Sequence, residues 1–199
     1  MKHYHQNIVG KFDQEKIYDY VINNTPGPSI FIEVGSWLGK STSYLGVEII
    51  NSNKSIKLFT SENFEEDTKN DSKIFSKNKK IQRTFERRNN DVLIGSVCTT
   101  VIDDHVELCK PFHFEEIDFC FISSEYNSKE IENNIKLWWP KIKTGGIIAG
   151  DCYDKSEVSN NVSTYIGDHR LHTHNESIHW ICRKGGPQTF DGLIGVSSP

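Results

Sequence analysis

The sequence predicts an α/β fold: a mostly parallel sheet with helices on both faces, closed at one edge by an antiparallel hairpin. Three observations predict it. Short runs rich in Ile, Val and Phe alternate with stretches of helical periodicity. The first clear run passes into Val34-Gly35-Ser36-Trp37-Leu38-Gly39, a turn with two glycines, ahead of a helical stretch. Near the end, two apolar runs flank Asn175-Glu176-Ser177, a hairpin signal. Ligands of such sheets bind beyond the carboxyl ends of the strands, so the residues after each strand are the candidates for function.

The elements follow in order. Asp13 to Asn24 carries Ile17, Tyr20 and Val21 at helical spacing, with Asp13 expected as its cap, and Thr25-Pro26-Gly27-Pro28 stops it. Ser29 to Val34 is a β-rich run and reads as a buried strand. Lys40 to Ile50 reads as a helix, Ile56 to Phe59 as a second strand and Ile117 to Ile122 as a third. Ser128 to Trp139 has Ile131, Ile135 and Trp138 on one helical face, with Ser128 as cap. Gly145-Gly146 leads into the strand Ile147-Ile148-Ala149, and Val158 to Ile166 reads as helical. Leu171 to His174 then pairs with Ile178 to Arg183. Residues 1–184 read as one domain with a helical lead-in over 1–28, and 185–199 as an irregular tail.

Composition narrows the function. With 199 residues, 36% hydrophobic and 11% aromatic, the chain can bury a core without disulfides or metal. No run reaches the roughly 18 to 20 apolar residues of a membrane span, and the N-terminus carries no apolar signal region. The net charge of −4 gives no general pull toward nucleic acid or anionic membrane. The five cysteines lack C-x-x-C spacing, which argues against a zinc knuckle and a disulfide framework and for a reducing cytoplasm. A single alanine, Ala149, amid abundant Ile, Asn and Lys suggests an AT-rich source, with a host's cytoplasm as the location if that source is viral.

The turn Gly35 to Gly39 lets backbone N–H groups approach a ligand at a helix N-terminus. It is not a phosphate-binding Walker loop, because position 34 is Val rather than Gly, and Thr42 to Leu45 supplies no third glycine for a dinucleotide fingerprint. Two glycines alone read as a plain strand-to-helix turn.

Three segments together make the sequence resemble the class I S-adenosylmethionine-dependent methyltransferases. The likeness is to the small-molecule O-methyltransferase branch with its macrocin- and catechol-type enzymes. The segments are Ile32 to Ser41, Ile117 to Ile122, and Trp138-Trp139-Pro140-Lys141-Ile142-Lys143-Thr144-Gly145-Gly146 running on to Asp151. The resemblance extends from about Ser29 to Lys184 and implies a Rossmann-like, seven-stranded sheet. It also implies methyl transfer to an oxygen of a small or sugar-like acceptor. Position by position, it places Glu33 beneath the methionine end of the cofactor, near its ammonium. Gly35 and Gly39 would let the loop pass under the cofactor, with Ser36 and Ser41 nearby. Glu62 is the carboxylate in reach of the ribose, and Asp104 stands at the adenine-contacting position, interchangeable with Asp103. Asp151 is retained at the reactive edge, either as a base, which burial between Tyr126 and Tyr153 would strengthen, or as a residue that caps the next helix or holds the loop.

The departures from the family pattern shape the rest. Ser123 follows the strand where the family has an Asp, and is counted here with the cofactor contacts. Cys152 stands where a further acid or amide is usual. Two of three hard oxygen ligands are thus missing, so no magnesium is expected. The same departures keep open a catalytically silent relative that binds a ligand or partner.

Two further constellations have alternative readings. His172 and His174 share a strand face, either as a base or metal pair or as solvent-facing residues of an edge strand. The basic stretch Lys69 to Arg88 is either a solvated helix or a surface for an anionic acceptor or nucleic acid, the solvated helix being preferred. The expected partners are a small-molecule acceptor and, as an open option, a second copy of the chain.

Overall fold

The computed structural model of the chain describes residues 1–62, 94–102, 105–123, 128–174 and 176–193. Its core is a seven-stranded sheet: β1 (Ser29–Val34), β2 (Ile56–Glu62), β3 (Cys98–Ile102), β4 (Ile117–Ile122), β5 (Ile142–Gly150), β6 (Arg170–His174) and β7 (Ser177–Arg183). The order across the sheet is β3-β2-β1-β4-β5-β7-β6, with β3 to β5 parallel and β7 antiparallel to both β5 and β6. The strand order reverses between β1 and β4, the switch point at which such sheets open a crevice.

The helices are α1 (Glu15–Asn24), α2 (Lys40–Ser52), α3 (His105–Cys109), α4 (Ser128–Trp138) and α5 (Ser156–Tyr165). Alternation along each strand sends residues to two separate cores. On one face Ile32, Val34, Cys120, Ile148 and Trp180 pack against Ile131, Ile135 and Trp138 of α4 and Val158 and Val162 of α5. On the other, Phe31, Leu58, Phe119, Ala149 and Ile181 pack against Ile17, Tyr18 and Val21 of α1 and Leu45 and Ile49 of α2. Trp138 is fully buried and ends α4, as its place before Pro140 suggests.

Several expectations shift in detail. One of the five parallel strands, β3, escaped the pattern because Thr99 and Thr100 interrupt its apolar character. The glycines 145 and 146 lie inside β5 rather than before it. The tail of residues 185–193 is irregular but docked: Phe190 and Leu193 are 3% and 5% exposed and join the α1–α2 core. The largest correction concerns Asp13. It does not cap α1, whose N-cap is Gln14; its carboxylate crosses to β7 instead.

Ala149 and Gly150 explain how β5 comes so close to its neighbours. A Cβ on Gly150 would stand 2.6 Å from the Ile122 carbonyl oxygen and 2.7 Å from the Trp180 ring. Glycine there lets Trp180 cover the strand end and fixes where Asp151 emerges.

Candidate functional site

The registers Val34↔Ser61, Val34↔Ile122 and Ile122↔Gly150 align the carboxyl ends of β2, β1, β4 and β5. Gly35, Ser123 and Asp151 therefore leave the sheet side by side. Above them is a cavity of about 400 Å³ whose walls include Glu33, Gly35, Ser36, Ser41, Ser123 and Asp151. The structure thus brings together six of the residues singled out from the sequence.

Gly35 and Gly39 have φ of 84° and 80°, the left-handed region that glycine enters without a Cβ clash. Gly39 is the N-cap of α2, and its carbonyl accepts the Ser43 N–H at 2.9 Å. No side chain caps this helix, and its first turn holds no acid. The first N–H groups of α2 thus remain available at the cavity, with the positive end of the helix dipole. Ser36 is 3% exposed, and its hydroxyl has no partner among the described residues. Between the glycines, Trp37 takes φ of 44° and is 42% exposed on the cavity wall.

Glu33 forms part of the cavity floor and is 1% exposed. Burial pushes its pKa up, against hydrogen bonds from Thr42, Ser41 and Tyr18. The Tyr18 hydroxyl donates to one carboxylate oxygen at 2.8 Å and Thr42 donates to the other. Glu33 is therefore held rigidly by α1 and α2, which few sequence patterns would announce: Tyr18 lies 15 residues upstream.

On the opposite side, the Ser123 hydroxyl donates to an Asp151 oxygen at 3.3 Å. The next residue, Cys152, has φ of 53°, so the chain turns sharply after the acid. Burial raises the Cys152 thiol to about 11, which keeps it protonated at neutral pH. The Tyr153 ring lies tilted against His169 at 5.1 Å, and its hydroxyl hydrogen-bonds that ring's Nε2 at 2.7 Å. Tyr126, the other residue expected beside Asp151, lies outside the described residues.

The remaining wall comes from the segment before α1 and from the start of β7: Lys11, Asp13, Gln14 and Ser177. Sequence reasoning missed this wall, because nothing in the linear pattern connects positions 13 and 177. Asp13 is 6% exposed and accepts three hydrogen-bond donors. Ser177 donates to one oxygen, and His179 Nε2 lies 3.1 Å from the other. The Lys11 ammonium sits 3.2 Å from Asp13 and donates to Ser177 at 2.6 Å. Burial would raise the Asp13 pKa, but the bonds from His179, Ser177 and Lys11 outweigh it and hold the carboxyl well below its usual range.

A folded-state pKa below the unfolded one contributes stability above the unfolded value, and that stability is lost as pH falls below it. Asp13→Asn is therefore expected to cost about 1–3 kcal/mol at pH 7. The gap to wild type should stay constant down to about pH 5 and shrink below about pH 4. Urea unfolding at a series of pH values checks this, and a gap independent of pH would refute the assignment.

The other sequence candidates fall elsewhere. His172 and His174 share a face and their rings stack at 6.3 Å, but neither lines the cavity. His172 is not solvent-facing: it is 5% exposed, and burial lowers its pKa, helped by nearby His179. His174 lies 3.8 Å from Glu15. Glu62 is the last residue of β2, paired with Ile102, so the strand runs on past Phe59, the end predicted from the sequence. Asp103, Asp104 and the basic stretch Lys69 to Arg88 lie outside the described residues. Among the described residues, no group of three or more His, Cys, Asp or Glu could hold a metal ion, and no helix is long and apolar enough to cross a membrane.

Comparison with known proteins adds an independent finding. A family model described as a methyltransferase domain matches residues 32–153. No curated protein matches the sequence. Among solved structures, the chain is similar to an rRNA methylase from Streptococcus thermophilus, at 15% identity and a TM-score of 0.61, covering 88% of this chain and 98% of that one. It is also similar to the O-methyltransferase TomG from Streptomyces achromogenes, involved in tomaymycin synthesis and solved in complex with SAM. There the identity is 10% and the TM-score 0.59, over 86% of this chain and 80% of that one. A spermidine synthase from Thermotoga maritima matches at 14% identity and a TM-score of 0.56, over 87% of this chain and 61% of that one. At these identities the likeness is one of fold.

Proposed function

Because the chain belongs to the methyltransferase domain family of class I S-adenosylmethionine-dependent enzymes, we propose that it methylates an oxygen of a small or sugar-like acceptor in the cavity above β1, β4 and β5. The observation that carries this reading is the Ser36 hydroxyl, buried and without a partner among the described residues. It sits between two left-handed glycines and the uncapped start of α2. A buried hydroxyl and free helix N–H groups call for a polar ligand at that point.

The charge of the cavity fits the cofactor. Its walls carry Asp13, Glu33, Asp151, Asp154 and Glu176 against Lys11, Lys40 and Lys155. That acidic excess suits a ligand bearing a sulfonium and an ammonium against one carboxylate. When bound, S-adenosylmethionine supplies an electrophilic methyl group on a sulfonium. The chain's own part is then placement and proton removal. Gly35 and Gly39 let the loop lie close to the ligand, and Ser36 and Ser41 provide hydroxyls beside it. Glu33, braced by Tyr18 and Thr42, keeps the floor in place. Asp151 emerges from β5 as the base for the acceptor hydroxyl, oriented by Ser123. The base role is given to Asp151 rather than to His172 or His174, which lie off the cavity wall.

Isothermal titration with S-adenosylhomocysteine tests the reading. Saturable binding at one site per chain is the expected result, and absence of binding to the folded protein would reject it.

A further inference from the structure

Lys11 differs from an ordinary surface lysine in how it is held. Its side chain is 73% exposed, yet its ammonium is fixed between Ser177 at 2.6 Å and Asp13 at 3.2 Å. Exposed lysines retain most of their rotamer freedom, and single surface ion pairs seldom immobilise them. Here the support is buried. Asp13 is itself secured by Ser177 and by His179, whose ring is fully buried. Asp13 accepts, so His179 Nε2 is the donor. An ammonium has three donors, of which Ser177 and Asp13 take two, and the third remains for a ligand in the cavity that Lys11 lines.

The neighbours of that donor define the ligand. Across the cavity Asp151 presents a carboxylate. A fixed cation on one wall and a carboxylate on another orient a ligand carrying charges of both signs, with its anion at Lys11. A planar carboxylate suits hydrogen bonds from both the ammonium and a neighbouring polar group. We propose that Lys11 is a specificity-determining residue that binds a ligand carboxylate, and that Asp13 is the residue that positions it. This inference rests on the methyltransferase reading. Two sources share the chemistry: the methionine end of the cofactor, and a carboxylate on the acceptor.

Calorimetry separates them. S-Adenosylhomocysteine carries the amino-acid carboxylate and 5′-methylthioadenosine lacks it, so both are titrated into wild type, Lys11→Met, Lys11→Arg and Asp13→Asn. If the carboxylate is the cofactor's, Lys11→Met weakens S-adenosylhomocysteine by roughly 10- to 100-fold, the loss of one charge-assisted hydrogen bond. Methylthioadenosine affinity is then unchanged, and Lys11→Arg recovers most of the loss. Asp13→Asn lowers the ratio of the two affinities in the same direction, whereas a purely structural role would weaken both ligands alike. If the carboxylate is the acceptor's, both nucleosides bind every variant equally. Benzoate, added to the S-adenosylhomocysteine-saturated protein, then binds wild type and not Lys11→Met. Wild type binding both nucleosides, with Lys11→Met matching it for them and for benzoate, overturns the inference alone. Wild type binding neither nucleoside overturns the methyltransferase reading and this inference with it.

Discussion

Gly35→Val is expected to abolish binding of S-adenosylhomocysteine while leaving the fold largely intact. Gly35 has φ of 84° and lines the cavity, so a valine there meets two penalties at once. A β-branched residue in the left-handed region costs about 1–3 kcal/mol. That is a fraction of the roughly 5–15 kcal/mol that holds a domain together, so the variant should still fold. The isopropyl group also enters the space the loop leaves for a ligand. Titration calorimetry beside a thermal melt separates the two effects. Gly35→Ala carries the backbone strain with a smaller side chain and should retain part of the affinity. Full affinity in the valine variant would remove the ligand from this loop.

The second large effect is expected at Asp151. Asp151→Asn keeps the size of the side chain and can still accept from Ser123, but it cannot take a proton. A positioned base contributes about 10²- to 10⁴-fold, so turnover should fall by roughly a hundredfold or more with cofactor affinity unchanged. An alcohol is a poor nucleophile until its proton has somewhere to go, which is why the loss should appear in kcat rather than in binding. The measurement is methyl transfer from labelled S-adenosylmethionine under saturating conditions, with calorimetry as the control. Turnover equal to wild type would end the catalytic role of Asp151 and leave it a structural residue at the end of β5.

These two residues were legible in the chain for a physical reason. A parallel strand buried on both faces is written as a continuous apolar run, and the residue that follows it must face the crevice. Gly35 follows Phe31-Ile32-Glu33-Val34, and Asp151 follows Ile147-Ile148-Ala149-Gly150, so both could be placed before any coordinate was known. The hairpin was legible too, although Ser177, expected between its strands, is already paired to His174. β3 was less so, because its two threonines carry β propensity without the apolar signature of a core strand.

By itself, then, the sequence determined the elements with local signatures: four of the five parallel strands, the glycine turn, the helix that ends at Trp138, and the strand-end residues Glu33, Ser123 and Asp151. Only the tertiary structure decided what those residues touch. Asp13 has the local look of a helix cap, yet its carboxylate is taken by Ser177 and His179, more than 160 positions away. His172 has the local look of an exposed edge residue, yet it is 5% exposed. The tail beyond residue 184 reads as irregular, yet Phe190 and Leu193 complete a core. Caps, turns and strand runs are settled by neighbours a few bonds away and so leave a trace in the linear pattern. A buried hydrogen bond or a covered face depends on which distant segment arrives, and that is set only when the sheet order brings β7 beside β5 and carries the first residues of the chain across the cavity.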